Sequence, residues 1–136
     1  MVAIGQTGPT NERTGMADLE GKSFDNPDEV REFQANGQVE LVNLASGPVG
    51  RGTFEPGWKW SNDVKPIAGT DSCQVGHVGY ILSGRMTVRM DDGDQHEYGP
   101  GEAFNMPPGH DAWVEGDEAC VVLDFGGLHG YAEAHG

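Results

Sequence analysis

Between positions 71 and 110 lie four side chains able to hold a metal ion or exchange a proton: Asp71, Cys73, His77 and His110. The first three are separated by even numbers of positions. An unbulged strand, whose side chains alternate with period two, would therefore present them on one face. Two imidazoles and a carboxylate suit Fe(II) or Mn(II), whereas a Cys73 thiolate among the ligands moves the preference toward Zn or Cu. The same residues also fit a metal-free pocket, with Cys73 as a small buried hydrophobe and His77 as a hydrogen-bonded core histidine. Both readings require the region around positions 73, 77 and 110 to close on itself.

The surrounding pattern is that of short strands. Leu82, Ser83 and Gly84 end the first run, and Arg85 to Met90 alternates again, with Met86, Val88 and Met90 on one side and Arg85, Thr87 and Arg89 on the other. Asp92 and Gly93 read as a two-residue hairpin turn into Gln95 to Tyr98. Upstream, Val39 to Ala45 and Val49 to Phe54 are expected strands around a Ser46, Gly47, Pro48 turn. Downstream strands are expected at Ala103 to Met106, Asp111 to Glu115 and Ala119 to Phe125. Asn26, Pro27 and Glu29 form a capping-box pattern that predicts one short helix over about 27–35. About eight strands with brief connections predict an all-β fold, an antiparallel β-barrel or double-sheet jelly roll, with that single N-terminal helix.

The stretches DSCQVGHVGYILSG (71–84) and GEAFNMPPGH (101–110) resemble the cupin superfamily, whose signatures are G-x5-H-x-H-x(3,4)-E-x6-G and G-x5-P-x-G-x2-H-x3-N. Asp71, Cys73 and His77 occupy the positions of the two histidines and the glutamate, and Gly84 that of the closing glycine. Gly101, Pro107 and Gly109 match the second signature, with Ala112 at the histidine position and His110 two residues before it, on the same strand parity. Thirteen residues separate Gly57 from Asp71 where the signature has five, so this stretch carries an insertion. The resemblance implies a jelly-roll barrel, a cavity that receives a small molecule, one divalent metal (Fe, Mn, Zn or Cu) on some combination of Asp71, Cys73, His77 and His110, and a homodimer exchanging an N-terminal strand, here Val39 to Ala45. Trp58 and Trp60 flank the insertion and are expected to line the pocket mouth or cover the barrel end, and Trp113 to pack beside His110. Cys120, in ACVVLDF, reads as inert core; His96 faces either way, and His129 and His135 read as exposed.

Eight basic against 22 acidic residues give a formal net charge of −14. No positive footprint for nucleic acid is present, and anionic membranes are disfavoured by the same sign. The chain has no apolar span and no basic start followed by an apolar core, so a cytoplasmic protein is expected, and its two cysteines read as free thiols. The length of 136 residues suits one domain, placed at 21–128 between a loosely ordered arm (1–20) and a tail (129–136). Asp91, Asp92 and Asp94 are turn residues, since the long loop and terminal glutamate of a calcium site are missing. Three functional classes follow. The favoured one is a module binding a small organic molecule, because the turn positions of the signatures are kept while the ligand positions are replaced. The others are a metal-dependent oxygenase, isomerase or lyase, and a structural dimer without ligand.

Overall fold

The structure, a computed structural model, describes residues 19–126. The expected tail and all but two residues of the expected arm lie outside the described residues, as do His129 and His135. Among the described residues nine strands are formed: β1 (Glu29–Glu32), β2 (Gly37–Leu44), β3 (Gly47–Phe54), β4 (His77–Ser83), β5 (Arg85–Met90), β6 (Gln95–Tyr98), β7 (Ala103–Met106), β8 (His110–Glu115) and β9 (Cys120–Asp124). One sheet has the order β1-β2-β3-β9-β4-β7 and the other β6-β5-β8, and all pairings are antiparallel. This is a two-sheet jelly roll. Alternation puts Val39, Leu41, Phe54, Ile81, Phe104, Met106 and Val122 from the larger sheet, and Met86, Val88, Ala112 and Val114 from the smaller, into a shared core. Fully burying each of the larger aliphatic and aromatic side chains contributes about 1.5–3 kcal/mol, which is what clamps the two inner faces together.

The helix expected over 27–35 is replaced by a strand. Asn26 closes a turn on Ser23 O at 3.1 Å, and the Asp28 N–H then donates to Leu41 O at 2.9 Å, which starts β1 along β2. Asp28 Oδ2 also accepts the Asn43 N–H at 2.7 Å. Local capping chemistry is outweighed because an isolated helix of this length is marginal in water, whereas an open β2 edge offers a full ladder. The helices that do form, α1 (Trp60–Asp63) and α2 (Lys65–Ala68), occupy the insertion. Asp63 Oδ2 accepts the Lys59 N–H at 3.1 Å, Asp111 Oδ1 accepts the Ser61 N–H at 3.1 Å, and Gly69 ends α2 at φ 77°. Trp60, Val64 and Ala68 are thereby pressed into the core.

Two turns also differ from expectation. The β2–β3 turn is Ala45–Ser46, with Gly47 and Pro48 already paired to Leu44 and Asn43. The β5–β6 connection spans the four residues Asp91 to Asp94: the Gly93 N–H donates to Met90 O at 2.9 Å and the Met90 N–H to Asp94 O at 2.7 Å, with Gly93 at φ 95°. β2, the strand expected to be exchanged over Val39–Ala45, is paired on one edge to β1 and on the other to β3 of the same chain. Among the described residues no helix is long and apolar enough to cross a membrane.

Candidate metal centre

The expected strand over 71–77 does not form as one piece. β4 starts at His77, and the segment before it bends, touching β8 through a single bridge at Cys73. The Cys73 N–H donates to His110 O at 2.7 Å and Cys73 O accepts from the His110 N–H at 3.2 Å. That bridge brings the thiol of one loop and the imidazole at the start of β8 face to face. Asp71 is left outside: its side chain is fully exposed and lies 3.8 Å from Lys65 Nζ, so the expected carboxylate ligand is not part of the cluster. The even spacing failed as a guide because alternation holds only within a continuous strand.

Cys73, His77 and His110 are buried, and one ligand atom from each lies within 4.8 Å of the others. Cys73 Sγ is 3.7 Å from His77 Nε2, and the two imidazole rings meet edge to face with centroids 5.5 Å apart. His110 Nδ1 is 2.7 Å from Pro107 O; a carbonyl only accepts, so Nδ1 carries the proton and Nε2 of the neutral ring keeps its lone pair. His77 Nδ1 lies 2.7 Å from Asp124 Oδ2, which likewise places the proton on Nδ1 and turns Nε2 toward Cys73. Burial holds His110 below the ordinary histidine range, although its bond to Pro107 O works the other way. Burial pushes the Cys73 thiol up to about 11. Such a thiol stays protonated on its own, and a coordinated metal removes the proton outright.

Asp124 is the residue that sequence reasoning missed. It is 1% exposed and sits on β9 in the same inward row as Cys120 and Val122. The signal was present in ACVVLDF, where a carboxylate occupies the apolar parity of a core strand; buried carboxylates require a partner.

The two imidazoles, but not Cys73, line a hollow of about 30 Å³, together with Asp124, Phe54, Trp58, Trp60, Met86, Phe104, Met106, Ala112 and Val122. Trp58 and Trp60 are each 2% exposed and wall this hollow from within, so neither stands at an open mouth. Trp113 is a correction of the opposite kind. It has the other parity on β8, donates its indole N–H to Glu115 Oε2 at 3.0 Å and lies under Lys59 Nζ at 5.3 Å, outside the hollow. Ala112, at the signature's histidine position, faces inward beside His110. His96 is exposed on β6. Cys120 is buried, its thiol pushed up to about 12 by burial, as befits inert core.

A β jelly roll with inward imidazoles beside the β4 and β8 strand starts defines a class, and sequence comparison agrees: residues 72–126 match the model of the cupin domain. That stretch is similar to the cupin superfamily, and the two-sheet fold agrees with it. Among solved structures, an RmlC-like cupin from Shewanella frigidimarina is 16% identical, with 81% of this chain and 94% of that one aligned at a TM-score of 0.50. A protein of unknown function from Vibrio parahaemolyticus is 16% identical over 71% of this chain and 97% of its own, with a TM-score of 0.51. Another, from Acidithiobacillus ferrooxidans, is 18% identical over 71% and 86%, also at 0.51. These likenesses show the fold. No curated protein matches the chain in sequence.

Proposed function

We propose that this protein holds one divalent metal ion between Cys73 Sγ, His77 Nε2 and His110 Nε2, and that its function is to present that ion to a small ligand in the apolar hollow. The observation that carries the reading is the pair of anchored imidazoles. Each ring has its Nδ1 tied down, by Asp124 and by Pro107 O, which is how metal-binding histidines are oriented and kept in the right tautomer. The donor set fits: one sulfur and two nitrogens suit Zn or Cu better than Mn, and three protein ligands are the number that leaves a position open. When bound, the metal supplies a Lewis acid or a redox centre at that position.

The size of the hollow separates this reading from the organic-ligand module favoured by sequence. An apolar cavity of about 150 Å³ is known to take up benzene, and the 30 Å³ here is far smaller, which favours an occupant of only a few heavy atoms. A metal-free site is the second reading; Cys73 Sγ also lies 3.8 Å from Val75 O, a contact a plain thiol can make. Elemental analysis of untagged protein decides between them. About one equivalent of Zn, Cu, Fe or Mn is expected, falling to near zero in His77→Ala and His110→Ala. Folded wild-type protein that takes up none of the four after incubation with each overturns the proposal.

A further inference from the structure

Trp58 is held on every side. Its ring packs against Phe54 with centroids 4.5 Å apart and against Phe33 at 5.8 Å, its backbone N–H donates to Glu55 O, and its carbonyl accepts the Val114 N–H. Yet its indole Nε1, fully shielded from solvent, has no hydrogen-bond partner among the described residues. Buried indole N–H groups ordinarily find an acceptor, and leaving one unmet is costly enough that each case calls for an explanation. Packing alone does not supply one, because a phenylalanine would fill much of the same space without the polar atom.

The placement of the ring supplies it. Trp58 lines the same small hollow as His77, His110 and Asp124, and the other wall residues contribute aromatic, thioether and aliphatic groups. Besides the two imidazoles, Trp58 and Trp60 both bring an indole N–H to this lining, and that of Trp58 is the one buried without a partner, while Asp124 is already engaged by His77. We propose that Trp58 is the recognition donor for the site's ligand: a small oxygen- or nitrogen-based acceptor, either water or an anion of a few atoms, that occupies the open position beside Cys73, His77 and His110 and accepts the indole hydrogen bond. This inference rests on the metal-centre reading and deepens it by naming the chemical class of what reaches the metal. Trp58 acts as a specificity residue: it favours ligands with a lone pair at the second point of contact and disfavours apolar ones of equal size.

The test uses azide as the probe on Co(II)-loaded full-length protein, followed by visible absorption, and on Zn(II)-loaded protein followed by ¹⁵N-indole NMR. Azide is expected to bind about tenfold more weakly to Trp58→Phe than to wild type, the order expected for loss of one hydrogen bond to a charged acceptor. Trp113→Phe, whose indole points outside the hollow, should leave binding unchanged. In the NMR arm the three indole resonances are assigned by elimination from Trp60→Phe and Trp113→Phe, so the measurement stands even if Trp58→Phe does not fold. The Trp58 proton should move downfield on azide addition while that of Trp113 stays in place. A Trp58 resonance that stays at the ordinary indole position both before and after azide addition, or azide binding of equal affinity in wild type and Trp58→Phe, overturns the donor role while the metal site stands. If the Trp58 proton is already downfield in Zn(II)-loaded protein and azide does not compete, water is the occupant. Absence of a thiolate-to-Co(II) band overturns the metal reading and this inference together.

Discussion

Asp124 shows how one side chain sets the character of its neighbour. A carboxylate 2.7 Å from His77 Nδ1, with both groups buried, fixes the ring's rotation and tautomer. Removing it altogether would leave the imidazole without its buried partner, so Asp124→Ala tests folding as much as binding. Asp124→Asn keeps the shape and one acceptor oxygen while discarding the charge. Metal affinity in that variant is expected to fall by about 10–100-fold, measured by competition with a chromophoric chelator. Unchanged affinity would mean that Asp124 merely fills its place in the core. Cys120 makes the contrasting case: it shares β9 with Asp124, has no ligand neighbour, and its thiol is pushed up to about 12 by burial.

At the scale of elements, the turns of the two signatures hold the strands in position. Gly84, between β4 and β5, adopts φ 75°, and a Cβ built there would stand 2.3 Å from Ala119 O. Gly93 has a similar φ of 95°, but a Cβ there would meet nothing within 4 Å. Both Ala substitutions incur the left-handed strain of roughly 1–2 kcal/mol, and only Gly84→Ala adds a backbone clash. Gly84→Ala should therefore lower the urea midpoint clearly more than Gly93→Ala; equal shifts would refute the close approach of β4 and β9. A second element-scale prediction concerns β5 and β8. Glu115 Oε2 accepts from Thr87 Oγ1 across that pair at 2.6 Å and from Trp113 Nε1 on its own strand at 3.0 Å, and these two bonds, Thr87 first, hold its carboxyl below the ordinary range. A folded-state pKa below the unfolded one means stability that is complete above the unfolded value of about 4.3 and is lost as pH falls through the lower folded value. Wild type should thus lose stability more steeply on acidification through that window than Glu115→Gln, read from urea midpoints at successive pH values. Parallel curves for the two proteins would show that the carboxylate's bonds add nothing.

For the molecule as a whole, the pairing of two copies is a proposal that follows from the cupin resemblance, and one surface supports it. Val78, Leu82 and Phe125 are 54%, 45% and 56% exposed on or beside the outer face of β4 and β9, where Tyr80 and Leu123 sit directly opposite each other. Contiguous apolar surface of this kind is unusual on a chain that stays alone. A net charge of −14 on each copy opposes association, and salt screens that repulsion. Light scattering is expected to give twice the 14.5 kDa chain mass, with the dimer fraction rising as salt increases from about 0.05 to 0.5 M. A mass of one chain at every salt concentration would remove the dimer from the proposal.

Much of the architecture was legible before any coordinates. The strands β6 and β7 fall on their expected residues, and the spacing from Cys73 through Gly84 and from Gly101 to Gly109 marks the two signature turns, because alternation and left-handed glycines are local properties. The amphipathic row in β8 also placed His110 and Ala112 on one side. Local rules misled where a distant strand decided the outcome: the capping box at Asn26 yielded to the edge of β2, and Asp71 was separated from Cys73 by a bend beside the bridge to His110. Asp124 reaches His77, and Trp58 comes to line the same hollow as the histidines, through the meeting of β9, β4 and the inserted segment, between residues tens of positions apart. The sequence by itself determined which segments extend and which side chains could ligate. Which of those side chains share one buried space was decided by the tertiary structure alone, because proximity across two packed sheets depends on register and closure, and no local pattern encodes either.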